Sequence, residues 1–354
     1  MSVCTSIKSL SPYQGGKPIS ELQRELGLER VVKLASNENP LGLGQKTLEA
    51  MTQAVTQVNR YPDGNGFELK KAIGQHLNVA VESITLGNGS NDILELIAKA
   101  YVCKPEDEVI FSEYAFVVYP LATKALGAQA VITKAKDFGH DLEAMLLAIT
   151  HNTKLIFIAN PNNPTGTLLA DGVLNAFLSR VPSSITVVLD QAYFEYLNAS
   201  DLALNWLKEF DNLIITRTFS KAYGLAGLRV GYALSNSTIA DYLNRIRQPF
   251  NVNHIAQVAA VAALSDQSHL VRSVTANKNG LKQLAEGFDK LGLDYIPSFA
   301  NFISVKVDDA PKLYQQLLAL GFIVRPVEMK NYLRVSIGTS KEISGFLHAL
   351  KSIL

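Results

Sequence analysis

The chain has 354 residues, enough for one or two domains with a sizeable buried core. Hydrophobic residues make up 47% and charged ones 18%, below the roughly 25% of an average globular chain, which excludes an intrinsically disordered protein. A formal net charge of +1 lacks the basic excess of a nucleic-acid binder, two cysteines cannot build a disulfide scaffold, and no apolar run approaches the roughly 20 residues that span a membrane.

Residues 1–10 lack a basic start followed by an apolar stretch, so no signal peptide is expected and the protein is expected in the cytoplasm. Residues 11–18 read as an irregular arm leading into a short helix at about 20–28. From about residue 83 a rhythm of short β-rich runs sets in, at 83–87, 108–111, 130–133, 154–159, 185–189 and 212–216. Helical patterns lie between several of them, such as Ile93, Leu94, Ile97 and Tyr101, or Leu142, Met145, Leu146 and Ile149. Runs such as Leu155-Ile156-Phe157-Ile158 are nearly continuous in apolar residues, which suits strands covered on both faces of a mostly parallel α/β sheet. After a turn signal at 248–253 the pattern changes to helices at about 254–264 and 268–291. A strand at 302–307, a helix at 311–320, an extended stretch near Val324, a strand at 332–337 and a closing helix from Lys341 follow. This predicts an N-terminal segment at 1–54 packing on a smaller α+β domain at 256–354, with a large α/β domain at 55–255.

Polar residues gather where the expected strands end, the edge at which open α/β sheets bind ligands. Gly87-Asn88-Gly89-Ser90-Asn91 offers backbone N–H groups at a helix N-terminus, an anion seat or an ordinary turn capped by Ser90. Asp190 ends an apolar run, where an unpaired carboxylate is costly, so it faces a cation or donor or else caps the next segment. Tyr193 follows three residues on, as a ligand-facing hydroxyl or a core aromatic. A lone lysine such as Lys221 is usually solvated, but this one lies among small and apolar residues, where a desolvated amine bonds to carbonyls. Arg229, eight residues later, is a surface or structural arginine or else adds a guanidinium fork, suited to phosphate, to the same anion seat. Together these meet the needs of pyridoxal 5'-phosphate: a lysine for the aldehyde, an anion for the ring nitrogen, donors for the phosphate and the ring oxygen, and an aromatic plate. No metal-ligand spacing surrounds Cys4, Cys103 or the histidines, and no metal is expected.

With these residues the chain closely resembles the fold-type I pyridoxal-phosphate aminotransferases. The superfamily's marks are Asn160-Pro161-Asn162-Asn163-Pro164-Thr165-Gly166, Asp190 with Ala192-Tyr193, Ser220-Lys221-Ala222, and Gly227-Leu228-Arg229. The resemblance to the histidinol-phosphate aminotransferase branch runs over nearly the whole length. It is carried by Pro12-Tyr13, Gly16-Lys17-Pro18, Leu34-Ala35-Ser36-Asn37-Glu38-Asn39-Pro40, Arg60-Tyr61-Pro62-Asp63, Ala300-Asn301-Phe302, Ile323-Val324-Arg325 and Leu333-Arg334-Val335-Ser336.

The resemblance implies a large domain with a mostly parallel seven-stranded sheet, a smaller α+β domain, and a homodimer with shared active sites. It implies Lys221 as Schiff-base lysine and proton shuttle, Asp190 as partner of the ring nitrogen, and Asn163 and Tyr193 on the ring oxygen. Ser90, Asn91, Ser220 and Arg229 would bind the phosphate, with Tyr61 reaching in from the neighbouring subunit. Phe116 is the preferred ring-stacking residue over nearby Tyr114. Arg334 would bind a substrate carboxylate and, with Arg325 and Tyr13, the phosphate of histidinol phosphate. The Ser90-Asn91-Asp92 turn departs from an Ala-Asp-Glu type of the superfamily, but backbone donors carry much of such a cradle.

The expected reaction is a ping-pong transamination between histidinol phosphate and 2-oxoglutarate, giving imidazole acetol phosphate and glutamate. Aromatic-amino-acid transamination and threonine-phosphate decarboxylation are alternatives on the same scaffold. A cofactor-sensing regulator domain is disfavoured, since only about thirty residues precede the fold.

Overall fold

The structure, a computed structural model, describes residues 3–12, 15–197 and 201–354. Near the N-terminus a helix Ile19–Leu26 leads to the short strand β1 (Val32–Lys33). A large sheet is built from β2 (Ile84–Gly87), β3 (Glu108–Ser112), β4 (Gln129–Thr133), β5 (Thr153–Ala159), β6 (Thr186–Asp190), β7 (Leu213–Thr218) and β8 (Gly231–Leu234). Its seven strands run in the order β2-β8-β7-β6-β5-β3-β4. β8 is antiparallel to both neighbours and every other pairing is parallel. This is the mostly parallel α/β sheet that the continuous apolar runs imply, with the seven strands that the resemblance implies.

The three central strands are buried along their lengths except at Lys154, and helices cover both faces. The helix Ser90–Tyr101 lays Ile93, Leu94, Ile97 and Ala98 on one face of the sheet, at the spacing of one helical stripe. On the other face lie Leu69 and Ile73 of the helix Phe67–Leu77, with Ala256, Ala259, Ala260 and Ala263 of the helix His254–Ser265. Alanine at four-residue steps lets this helix pack closely, and Asn253 caps it by accepting from the Ala256 N–H at 2.8 Å. The large core therefore takes in residues beyond position 255, and Met51 of the helix Gln45–Ala54 also packs against it.

A second, four-stranded sheet contains β9 (Tyr295–Ile296), β10 (Phe302–Lys306), β12 (Arg325–Pro326) and β13 (Tyr332–Ser336), in the order β12-β13-β10-β9. The segment just before β12, β11 (Phe322–Ile323), pairs in parallel with β1 and fastens residues 32–33 to this smaller lobe. The helices Gln267–Lys290, Ala310–Ala319 and Ser340–Ile353 close its core around Leu284, Phe288, Leu317 and Phe346. The last helix opens on a reciprocal cap in which Thr339 and Glu342 satisfy each other's backbone N–H groups. Among the described residues no helix is long and apolar enough to cross a membrane, and no group of acidic, histidine or cysteine side chains could hold a metal ion.

Candidate active site

The C-terminal ends of β5, β6 and β7, the turn after β2, and β12–β13 of the smaller sheet converge on a cavity of about 200 Å³. Among the described residues, every preferred catalytic or binding candidate from the sequence lines it except Tyr61. Tyr13 lies outside the described residues. Tyr61 is 83% exposed, stacks on Phe250 with ring centroids 4.7 Å apart, and lines a separate hollow of about 830 Å³.

Asp190 ends β6 at 4% exposure. Tyr119 donates to its Oδ2 at 2.8 Å and Thr216 to its Oδ1 at 3.1 Å. Burial nevertheless holds the carboxyl above its ordinary pKa, outweighing the hydrogen bonds from Tyr119, Thr216 and the Ala192 N–H and the charge of Lys221, which pull it down. A cation brought to this oxygen pair would restore the balance. The Tyr119 hydroxyl is pushed well upward by burial and by the adjacent carboxylate, so it stays a donor.

Lys221 follows β7 in a half-buried position and donates from Nζ to the Ser36 carbonyl at 3.2 Å. Its pKa falls from 10.5 to about 8, first through burial and then through the positive charge of Arg334. A lysine so placed is in part a neutral nucleophile near neutral pH. Tyr193 stands with Lys221 Nζ 6.0 Å over its ring, and its hydroxyl accepts from Asn37 Nδ2 at 2.9 Å.

The anion seat is built at the start of the helix Ser90–Tyr101. Gly89 precedes the first turn with φ +82°, and a side chain there would run into the Arg229 guanidinium. The chain thus keeps glycine where two groups must close on one small volume. Arg229 donates from Nη1 to Ser220 Oγ at 3.3 Å and to the Ala226 carbonyl at 3.1 Å. Guanidinium, the two hydroxyls of Ser90 and Ser220, and helix N–H groups make a seat for a phosphate.

Of the two candidate aromatics, Phe116 lines the cavity, while Tyr114 turns toward Phe138 at 6.2 Å between centroids. On the opposite wall Arg334 donates to Asn163 Oδ1 at 2.6 Å and to the Ala35 carbonyl at 2.7 Å. Arg325 and Arg334 are direct partners across β12 and β13. Directly opposed residues project from the same face, so two like charges share one side of the sheet, an arrangement that an anion stabilises. The residues that sequence reasoning missed are the donors Tyr119 and Thr216 and the amide of Asn37. The run Ser36-Asn37-Glu38-Asn39, polar and directly after the buried Leu34-Ala35, was the available signal for the last.

A primary amine, a buried carboxylate in want of a cation and a phosphate seat, all in one small cavity, are the equipment of an amino-group transfer. Residues 29–350 match the family model of the class I and II aminotransferases. The chain belongs to that family. Within it, this aminotransferase is 53% identical to histidinol-phosphate aminotransferase 1 of Idiomarina loihiensis, over 98% of this chain and 96% of that protein. It is also 53% identical to the histidinol-phosphate aminotransferase of Methylobacillus flagellatus, over 99% and 96%. The crystal structure of histidinol-phosphate aminotransferase from Sinorhizobium meliloti in complex with pyridoxal-5'-phosphate superposes with a TM-score of 0.91, at 28% identity over 99% of this chain and 98% of that one. Aspartate aminotransferase from Thermus thermophilus with maleate shares the fold, with a TM-score of 0.84 at 22% identity over 100% of both chains.

Proposed function

We propose that this aminotransferase moves an amino group between histidinol phosphate and 2-oxoglutarate in the cytoplasm, with pyridoxal 5'-phosphate held in the cavity between the two sheets. The observation that carries the reading is the opposed pair Arg325 and Arg334, both lining the cavity that contains Lys221. Two guanidinium groups on one strand face match a substrate phosphate at one time and a dicarboxylate at another, because the fork suits both anions.

The residues present fit the cofactor. Asp190, raised by burial, would hold the ring nitrogen protonated, and Arg229, Ser90, Asn91 and Ser220 would hold the phosphate in the seat that Gly89 leaves open. Asn163 and Tyr193 would bind the ring oxygen, and Phe116 would cover a ring face. Bound there, pyridoxal 5'-phosphate supplies an aldehyde that receives the amino group and a ring that spreads the electron pair left when the substrate carbon loses its proton. Lys221, partly neutral at its pKa of about 8, would hold the aldehyde carbon and afterwards carry the proton between substrate and cofactor carbons.

A homodimer is part of the proposal. Exposed Val55, Val58, Tyr61, Phe67 and Phe250 are apolar residues around or close to the 830 Å³ hollow, and Tyr61 is absent from its own chain's cavity. We also propose the division into an N-terminal segment, a large cofactor-binding domain and a small domain. The packing of the helix His254–Ser265 on the large core favours a second boundary later than residue 255.

Titration of the cofactor-loaded protein with histidinol phosphate, followed by absorbance, tests the substrate. Conversion of the bound cofactor at low histidinol phosphate concentration is expected. Conversion by phenylalanine alone would transfer the assignment to aromatic amino acids.

A further inference from the structure

Asn37 follows β1 at 1% exposure with φ +55°, a left-handed conformation that asparagine tolerates. All four of its polar groups are engaged. Its N–H donates to Ser336 Oγ at 2.9 Å, and its carbonyl accepts from Asn301 Nδ2 at 2.9 Å. Its Oδ1 accepts from Ser336 Oγ at 2.7 Å, and its Nδ2 donates to Tyr193 Oη at 2.9 Å. A serine hydroxyl has a single proton. Because the Asn37 N–H already occupies a lone pair on Ser336 Oγ, that proton goes to Oδ1, and the amide is held with Nδ2 toward Tyr193. A phenol oxygen that accepts from this amide sends its own proton in another direction, and Tyr193 and Asn37 both line the cavity. Ser336 lies two residues beyond Arg334, on the same face of β13, so the strand that meets the substrate anion also orients the amide.

We propose that Asn37 is a positioning residue of this aminotransferase: locked by Ser336, its amide turns the Tyr193 hydroxyl proton toward the ring oxygen of the cofactor. The inference rests on the reading above of Tyr193 as a partner of that oxygen. The consequence is electrostatic. A well-aligned phenol donor stabilises the anionic ring oxygen, and the bound chromophore then loses its proton at lower pH.

The test is the pH dependence of the absorbance of bound pyridoxal 5'-phosphate, in the wild type and in two variants that respect the backbone. Asn37→Gly keeps the left-handed conformation and the backbone bonds to Ser336 and Asn301 while deleting the amide. Asn37→Asp keeps the shape and the Ser336 bond but offers Tyr193 an acceptor in place of a donor. The midpoint is expected to rise by about half to one pH unit in Asn37→Gly, the scale of one hydrogen bond, and further in Asn37→Asp. In a Tyr193→Phe background, Asn37→Gly is expected to add no shift. An unmoved midpoint in both Asn37 variants, with Tyr193→Phe alone raising it, would overturn the inference and leave the parent reading intact. Equal Asn37→Gly shifts with and without the phenol would also overturn it. No shift in Tyr193→Phe itself would remove the parent reading, and this inference with it.

Discussion

Arg334 donates from Nη1 to Oδ1 of Asn163 at 2.6 Å, joining the smaller sheet to the loop after β5 in the lining of the cavity. In the proposed function these are the residues for the substrate anion and the ring oxygen, so one bond links the two recognition surfaces. Arg334→Lys keeps the charge and loses the fork, which held Asn163 and the Ala35 carbonyl at once. We expect kcat/KM to fall by about 100-fold for glutamate and for histidinol phosphate alike, the scale of a lost charged bidentate contact. Steady-state kinetics of the two half-reactions check this, and a loss confined to one substrate would show that Arg334 does not serve both.

The same guanidinium is the largest charge acting on Lys221, after burial, in lowering its pKa to about 8. Cofactor-free protein should therefore take up pyridoxal 5'-phosphate faster as pH rises, with a midpoint about pH 8, because only the neutral amine reacts. Arg334→Gln removes the positive neighbour and should move that midpoint upward, whereas Arg334→Lys should leave it nearly in place. Lys221→Ala should abolish both the slow covalent uptake and turnover. Stopped-flow absorbance across pH reads all three, and an Arg334→Gln midpoint that stays put would show that burial alone sets the lysine.

Much of this site was legible in the chain because its chemistry-bearing residues sit just past the continuous apolar runs of β5 and β6, which suit strands covered on both faces, and past the shorter apolar run that opens β7. The strand β8 was not legible. Its four residues follow a glycine-containing apolar loop from which so short a run does not stand out, and one of its two partners, β2, lies far away in sequence. Asn37 was hidden for the same reason, since its partners Tyr193 and Ser336 stand 156 and 299 positions along the chain. Tyr119 reaches Asp190 across 71 positions. Periodicity reports which face of an element is buried, but not which distant side chain meets it there.

Tyr61 offers a test of the shared site. At 83% exposure its replacement by alanine leaves the core of its own chain undisturbed. A mixed dimer of Tyr61→Ala and Lys221→Ala chains contains one site with both defects and one with neither, provided that each tyrosine serves the partner's cavity. An equimolar mixture should recover about a quarter of wild-type activity, since about half of its dimers are mixed and each has one intact site. Unfolding and refolding the two variants together, then assaying, provides the measurement. Activity no higher than the mean of the separate variants would mean that Tyr61 is not shared.

A last prediction concerns Glu195, which lies behind the site on the turn Phe194–Leu197. Its Oε2 is buried without a hydrogen-bond partner, and burial raises its pKa from 4.5 to about 7 even though the Arg217 charge pulls the other way. Arg217 itself is committed elsewhere, donating to Gln191 Oε1 at 2.7 and 3.1 Å and to Asp201 at 2.7 Å. Between pH 4.5 and about 7 the folded chain holds a proton on Glu195 that the unfolded chain has lost. The contribution of this group to stability is therefore fully present below pH 4.5 and is lost as pH rises through about 7. Glu195→Gln does not titrate and should escape that loss. Relative to the wild type it should gain on the order of 2 kcal/mol between these limits, reached above neutral pH. The difference between the two proteins also removes the opposite trend from His140, whose pKa burial depresses to about 4. Urea midpoints of both proteins at pH 5 and pH 8 read the effect, and a pH-independent difference would show that the Glu195 carboxyl titrates normally in the folded chain.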